Sequence, residues 1–531
     1  MPRHLTIAVL LALLLAAAGC QKRVVLREEA PPPPPVAFSQ PAPMALVAAP
    51  PADHAYPHDD TPPAGATAEP RRPNPVKRVA ETPVSTFSID VDTGSYSRSR
   101  QLLRDGRLPP VSAVRTEEFL NYFDHGYPPP PGLEPPFSVS TELAPAPWHP
   151  QRHLLLVGIK GFDVDRSRLP PANLVFLIDT SGSMASPDKL PLLVEGFRML
   201  AGQMRRQDRV AIVAYAGSAG LVLPSTPGDQ RATILGALDQ LRSGGATAGA
   251  AGIELAYEVA RANRIDGGIN RVILATDGDF NVGTRSLEAL KALVEAQRAS
   301  GIALTTLGLG RDHYNDALAE QLADIGNGNH AFIDDELEAR KVLAREVSAT
   351  LLTIARDVKI QLEFNPAVVA EYRLLGYENR LLSREQFADD AIDAGEIGAG
   401  HDVTALYEIV LVGSGGERLA PAGAGETTLA AGELARLRLR YKAPEQDVSR
   451  PLEHPVLLGS LRPDGTPRLQ FAAAVAGFAE LLRRSEWLED FGYPELLALA
   501  ESAAHPDPHG ERAELVDLIE LAAALAGTPA R

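Results

Sequence analysis

Leu174-Val175-Phe176-Leu177-Ile178-Asp179-Thr180-Ser181-Gly182-Ser183 is the stretch that decides the fold. Its first half is an unbroken apolar run, the pattern of a strand buried on both faces in a parallel sheet covered by helices. Its second half turns polar at once, with a carboxylate followed by hydroxyls at alternate positions. That polar loop therefore stands at the carboxyl edge of the sheet, where open α/β folds place their ligands.

The alternation continues downstream. Helical spacing is predicted for Lys189 to Met204, Gln230 to Leu241, Gly249 to Ala262 and Leu287 to Ala299. Strands are predicted at Arg209 to Tyr215, Leu221 to Leu223, Arg271 to Thr276 and Ile302 to Leu307. A last strand ends at Phe332-Ile333, and a closing helix is expected from Glu336 to Leu352. The expected class is α/β, a doubly wound, mostly parallel six-stranded domain over residues 171–352.

On the N-terminal side, residues 85–170 combine strand-like runs at Ser85 to Val91, Phe137 to Leu143 and His153 to Ile159 with helices at Tyr96 to Leu103 and Val114 to Phe123. After residue 353 the pattern changes to strands at Val358 to Phe364, Tyr372 to Gly376, Thr404 to Val412 and Leu434 to Tyr441, a β-rich region over 353–465. Residues 466–531 are helical, at Phe471 to Arg484, Pro494 to Ala503 and Glu511 to Leu525. The strands before residue 160 are expected to join those after 354, so that the α/β domain is an insertion in one β-rich module.

The N-terminus points to export. A short basic start precedes an apolar run from Leu5 to Ala18, too short to span a bilayer but suited to a signal peptide over 1–19. Ala17-Ala18-Gly19-Cys20 resembles a bacterial lipobox, with Ala17 where that pattern usually has Leu. The resemblance implies lipidation of Cys20, and Gln21 after it implies sorting to the outer membrane, as a lipid-anchored protein of the bacterial envelope. Residues 20–84, with Pro31 to Pro35, are predicted to be an extended tether. Cys20 is the only cysteine, so no internal disulfide forms. Asp and Glu outnumber Lys and Arg by 68 to 51, a net charge of −17 that argues against general nucleic-acid affinity.

The loop after the first buried strand carries the chemistry. Asp179, Ser181 and Ser183 can aim a carboxylate and two hydroxyls at one point. Thr247, within Gly244 to Gly249, and Asp277, directly after the strand Val272 to Thr276, add oxygens from the same sheet edge. Hard oxygens suit Mg²⁺, and also Mn²⁺ or Ca²⁺. The plainer alternative is that Asp179 and the serines cap the next helix.

Asp-x-Ser-x-Ser, a later Thr and a later Asp resemble the metal-ion-dependent adhesion site (MIDAS) of von Willebrand factor A domains. The resemblance implies that Ser181, Ser183 and Thr247 ligate metal directly and that Asp179 and Asp277 act through water. It also implies an open position for a Glu or Asp of a protein partner. Phe87 to Asp92, Ala275 to Gly283, Gly376 to Arg380 and Asp393 to His401 further resemble one bacterial family, YfbK-like lipoproteins with a von Willebrand factor A domain and an added C-terminal domain. That second resemblance implies architecture; the function expected from the adhesion-site resemblance is a non-enzymatic, metal-dependent protein-binding module of the envelope, with no catalytic residues. The alternatives are an envelope hydrolase using the same metal and a structural assembly subunit with a vestigial site.

Other motifs are weaker. Asp92-Thr93-Gly94-Ser95 matches an aspartic-protease loop but lacks a second lobe, which leaves a helix cap or turn. Ser186-Pro187-Asp188-Lys189 has Ser-x-x-Lys spacing without its partner motifs. Gly244 to Gly249 lacks the Lys of a phosphate loop, so no nucleotide is expected. Asp389, Asp390, Asp393, Glu396, His401 and Asp402 form an acidic stretch expected to be a solvated hairpin.

Overall fold

The computed structural model describes residues 72–245, 249–278, 287–310, 316–346, 351–413, 429–430, 432–444, 446–503 and 506–527. Cys20, the signal segment and Thr247 lie outside the described residues.

Strands fall into three groups. β1 (Lys77–Arg78), β2 (Val84–Ser88), β3 (Phe137–Ala146) and β4 (His149–Gly161) come first. β5 (Ala172–Asp179), β6 (Arg209–Tyr215), β7 (Ala219–Pro227), β8 (Ile269–Thr276), β9 (Ala303–Leu309) and β10 (His330–Ile333) follow. β11 (Thr353–Phe364), β12 (Val369–Leu375), β13 (Ile397–Gly398), β14 (Asp402–Leu411), β15 (Glu433–Lys442) and β16 (Arg450–Leu457) complete the set.

The middle group forms one six-stranded sheet in the order β10-β9-β8-β5-β6-β7. All neighbours are parallel except β6 and β7. Every residue of β5 is buried, which accounts for its continuous apolar sequence. Leu174, Phe176 and Ile178 share a core with Leu193 and Phe197, whereas Val175 and Leu177 share another with Ile253, Ala256 and Leu290. The Phe176 and Phe197 rings stack at 4.1 Å.

The outer groups interleave. One antiparallel sheet runs β1-β12-β14-β4-β3, and a second runs β13-β11-β15-β16 with β2 also on β11. Phe87 lies opposite Ile360, and Val157 opposite Ala405. The chain thus leaves these sheets after β4 and re-enters them at β11, with the α/β domain in between. Leu155, Val157 and Ile159 face the core between the two sheets, while Leu154 and Leu156 face helices. That double burial explains why the run is apolar at nearly every position instead of alternating. The helices Pro467–Leu482, Tyr493–Ser502 and Glu511–Leu525 share their core with the N-terminal helices Gly94–Arg104 and Thr116–Tyr122.

Two expectations need correction, and two elements were not foreseen. The end of the supposed tether is docked: Asn74 donates to the carbonyls of Leu374 and Gly376 at 3.1 and 2.6 Å, Val79 is buried, and β1 pairs with β12. Sheet-edge pairing needs only backbone, so composition gave no sign of it. The closing helix is α-helical over Glu336–Arg340 and then widens into a π turn over Lys341–Arg345. Lys341 is buried there, its ammonium 3.2 Å from the centre of the Tyr122 ring. A helix over Asp316–Ile325 went unpredicted. So did β16, an edge strand that tolerates Pro451 and Pro455 because an edge leaves backbone groups unpaired.

Buried ion pairs join the inserted domain to its flanks. Arg100, 1% exposed, reaches Asp334 and Glu338 at 2.8 Å each and Glu514 at 3.0 Å. Arg380 pairs with Asp90 at 3.3 Å and Asp324 at 3.0 Å, and Asp92 accepts the His330 backbone N–H at 2.8 Å. Beside them, burial and neighbouring carboxylates push Glu117 up to about 8, and burial pushes Glu118 up to about 7 against the pull of Arg115. A carboxyl raised on folding contributes stability that is complete below its ordinary 4.5 and is lost as pH rises through the folded value. Their contribution to stability, and with it the melting temperature, is therefore expected to fall from about pH 4.5 to about pH 8. Glu117→Gln should flatten that fall in pH-dependent calorimetry, and an equally steep profile in the variant would contradict the assignment.

Candidate metal site

Three strand ends meet here, because β8, β5 and β6 are neighbours and finish at Thr276, Asp179 and Tyr215. Backbone bonds lace the loops together. Thr180 donates its N–H and its hydroxyl to the Tyr215 carbonyl at 2.8 and 3.1 Å. Gly244 N–H reaches Thr180 O at 2.8 Å, and Gly182 N–H reaches Gly245 O at 3.1 Å. Gly245 has φ +86°, a conformation glycine adopts at little cost.

Asp179 lies at the bottom, with no exposed surface. Its Oδ1 accepts the Ser181 N–H at 2.8 Å, and its Oδ2 accepts the Thr276 hydroxyl at 3.3 Å. Burial raises its carboxyl above the usual range, opposed by the Ser181 hydrogen bonds. The Ser181 and Ser183 hydroxyl oxygens stand 3.0 Å apart, and Ser183 is exposed. Asp277, also buried, is bound at Oδ2 by the Lys189 ammonium at 2.9 Å, and the same ammonium donates to Ser183 O at 3.0 Å.

These side chains do not cap a helix. Ser181 precedes a short 3₁₀ turn, Gly182–Ala185, and makes no side-chain cap bond. The next α-helix, Leu190–Gly202, begins after Lys189, likewise without one. Adjacent oxygens on an octahedral ion with bonds of about 2.0–2.1 Å stand about 3 Å apart, so the serine pair fits two positions of one Mg²⁺-like shell. Among the described residues no group of three or more His, Cys, Asp or Glu forms a metal cluster, so a cation here would depend on hydroxyl oxygens.

The structure thus brings Asp179, Ser181, Ser183 and Asp277 to one edge. Lys189 was missed as part of this site: its spacing from Ser186 suggested a different motif, whereas its ammonium points to Asp277. Asp92, in the protease-like string, is structural, and Thr93 makes no cap bond; the Ser95 N–H is satisfied by Glu118 at 2.7 Å. The acidic stretch is not a freely solvated hairpin. Asp393 binds Arg298 of the α/β domain, Asp390 binds Arg440, and Asp402, 8% exposed at the side chain, pairs with Lys160 at 2.6 Å.

Fold and loop arrangement together define a von Willebrand factor type A protein. A family model described as von Willebrand factor type A domain matches residues 173–346, and one described as von Willebrand factor matches 66–156. A third, described as the C-terminal region of uncharacterized protein YfbK, matches 349–525. Uncharacterized protein YfbK of Escherichia coli K12 is 46% identical over 459 residues, 85% of this chain and 80% of that one. The chain belongs to the YfbK family. An uncharacterized Synechocystis protein is 30% identical over 198 residues, covering 37% of this chain and 45% of its own length. Among solved structures, a von Willebrand factor type A protein from Catenulispora acidiphila matches at 15% identity and a TM-score of 0.41, over 72% of this chain and 89% of that one. Domains of this type commonly bind a divalent metal.

Proposed function

We propose that this chain is a metal-dependent, non-enzymatic protein-binding module of the bacterial envelope. Ser181, Ser183 and Thr247 would hold a divalent cation directly, with Asp179 and Asp277 behind them. The cation supplies an open coordination position for a carboxylate, and the partner would be a protein presenting Asp or Glu. A lipid on Cys20 would tether the folded part to the membrane, in keeping with the export-type N-terminus. Among the described residues no helix is long and apolar enough to cross a membrane.

The observation that carries this reading is the pair of serine hydroxyls 3.0 Å apart above a fully buried Asp179, none of them used as a helix cap. Direct ligands without charge leave most of the metal's positive charge for an incoming anion, which is why hydroxyls serve such binding better than a carboxylate cage. Asp179→Ala is expected to weaken Mn²⁺ binding roughly 10- to 100-fold, the usual effect of removing an orienting outer-shell group. Isothermal titration with Mn²⁺ measures it, with melting in chelator as the control for folding. Unaltered Mn²⁺ affinity in a folded variant would sink the proposal.

A further inference from the structure

Lys189 is an unusual neighbour for a cation site. Its side chain is 11% exposed, and its ammonium lies 2.9 Å from Asp277 Oδ2 and 3.0 Å from the Ser183 carbonyl. Its stem is held as firmly as its head. Gly310, at the carboxyl end of β9, has φ +89°, and a Cβ there would come within 2.3 Å of Lys189 Cε. The Gly310 carbonyl in turn accepts from Gln101 Nε2 at 3.2 Å and Arg98 Nη1 at 3.3 Å, both on the flanking helix Gly94–Arg104. The lysine is therefore packed between the metal loop and a strand end that the flanking module holds. A compact point charge fixed this way cannot swing clear without giving up its pairing in a buried setting.

We infer that Lys189 is a built-in cation that sets the sign of the ligand this site accepts, a specificity residue that acts beside the metal and not as one of its ligands. The inference rests on the metal-binding reading above. Among the described residues Asp179 and Asp277 are the carboxylates at the site, and Lys189 compensates one of them. Without metal these three side chains leave one uncompensated negative charge, which repels a carboxylate. A divalent cation reverses that to one positive charge, which attracts it. Without Lys189 the loaded site would be neutral overall. Lys189 thus weakens metal binding and strengthens the selection of an anionic ligand by the loaded site. The class of partner it favours is an acidic peptide segment, in preference to a neutral or basic one.

The test uses the full chain, Mn²⁺ and small carboxylate probes. Lys189→Met keeps an apolar stem against Gly310 and removes the charge. It is expected to bind Mn²⁺ roughly tenfold more tightly than the wild type, the scale of one nearby charge, and to bind acetate at the loaded site roughly tenfold more weakly. Lys189→Arg, which keeps the charge, should stay closer to the wild type. Melting in chelator adds a readout free of metal: Lys189→Met should melt lower, because Asp277 then lacks its ammonium partner. Equal or weaker Mn²⁺ binding by Lys189→Met overturns the inference and leaves the metal reading standing, whereas a wild type that binds no Mn²⁺ overturns the metal reading itself. A measurement on the wild type alone covers a variant that fails to fold: acetate should raise apparent Mn²⁺ affinity where the isosteric, neutral acetamide does not, and equal effects of the two overturn the inference.

Discussion

Arg100→Ala is expected to destabilise the protein by about 3–5 kcal/mol, the range for breaking a buried ion pair from one side. Arg100 touches Asp334 and Glu338 of the inserted domain and Glu514 of the last helix, which Arg104 also binds, and its side chain is 1% exposed. Removing it leaves buried carboxylates facing one another, with Glu338 fully buried. Tyr122, whose hydroxyl donates to Glu338 Oε2 at 2.8 Å, is too weak a donor to replace it. Urea unfolding of the full chain measures the loss. Glu338→Gln placed on Arg100→Ala should recover part of it, because an amide needs no counter-charge. A loss below about 1 kcal/mol would show the cluster to be solvated and unimportant, as exposed pairs are. The α/β domain's own core does not contain Arg100, so the variant should loosen the junction first. Protease cleavage at the junction should then precede global unfolding.

Gly328→Ala should cost about 3 kcal/mol or more for a steric reason. A Cβ on Gly328 would lie 1.8 Å from the carbonyl oxygen of Leu304, and backbone cannot rotate out of the way. The turn here is tight because Leu304 N–H reaches Gly326 O at 2.9 Å and Thr306 N–H reaches Asn329 O at 3.1 Å, drawing the entry to β10 against β9. Asn327 adopts φ +50° between the two glycines. Gly326→Ala is the milder comparison, since its nearest neighbour is the Leu304 Cβ, a side-chain atom at 2.6 Å. Thermal melting of both variants decides the matter: a Gly328→Ala protein as stable as the wild type would mean that β10 can move off β9 freely.

Much of the α/β domain was legible because its signals are local. β5, β6 and the helices Gly249–Ala262 and Leu287–Ala299 follow from hydrophobic runs and helical spacing, and their predicted bounds match or nearly match those observed. The loop of the candidate site was legible too, since Asp179, Ser181 and Ser183 are close in sequence and a strand end dictates which sheet edge they occupy. Helix Asp316–Ile325 escaped notice because its apolar positions, Leu318, Leu322 and Ile325, are interrupted by acidic residues. Two of those, Glu320 and Asp324, face Arg380 across the junction at 4.0 and 3.0 Å. Charge that reads as a solvent face in one dimension here meets an arginine whose side chain is 13% exposed.

By itself, then, the sequence determined the class of the inserted domain, the sheet edge that gathers the candidate site and the residues of the loop that stands there. Periodicity and local spacing encode these directly, since each depends on residues a few positions apart. Only the tertiary structure decided that Lys189 sits on Asp277, that Gly310 must stay open for its stem, and that Arg100 and Arg380 bind the inserted domain to its flanks. Those contacts join residues separated by tens to hundreds of positions, between Lys189 and Asp277 or between Arg100 and Glu514. Long-range electrostatic pairing leaves no periodic trace in a sequence, so the charge balance around the candidate metal loop is visible only once the chain has folded.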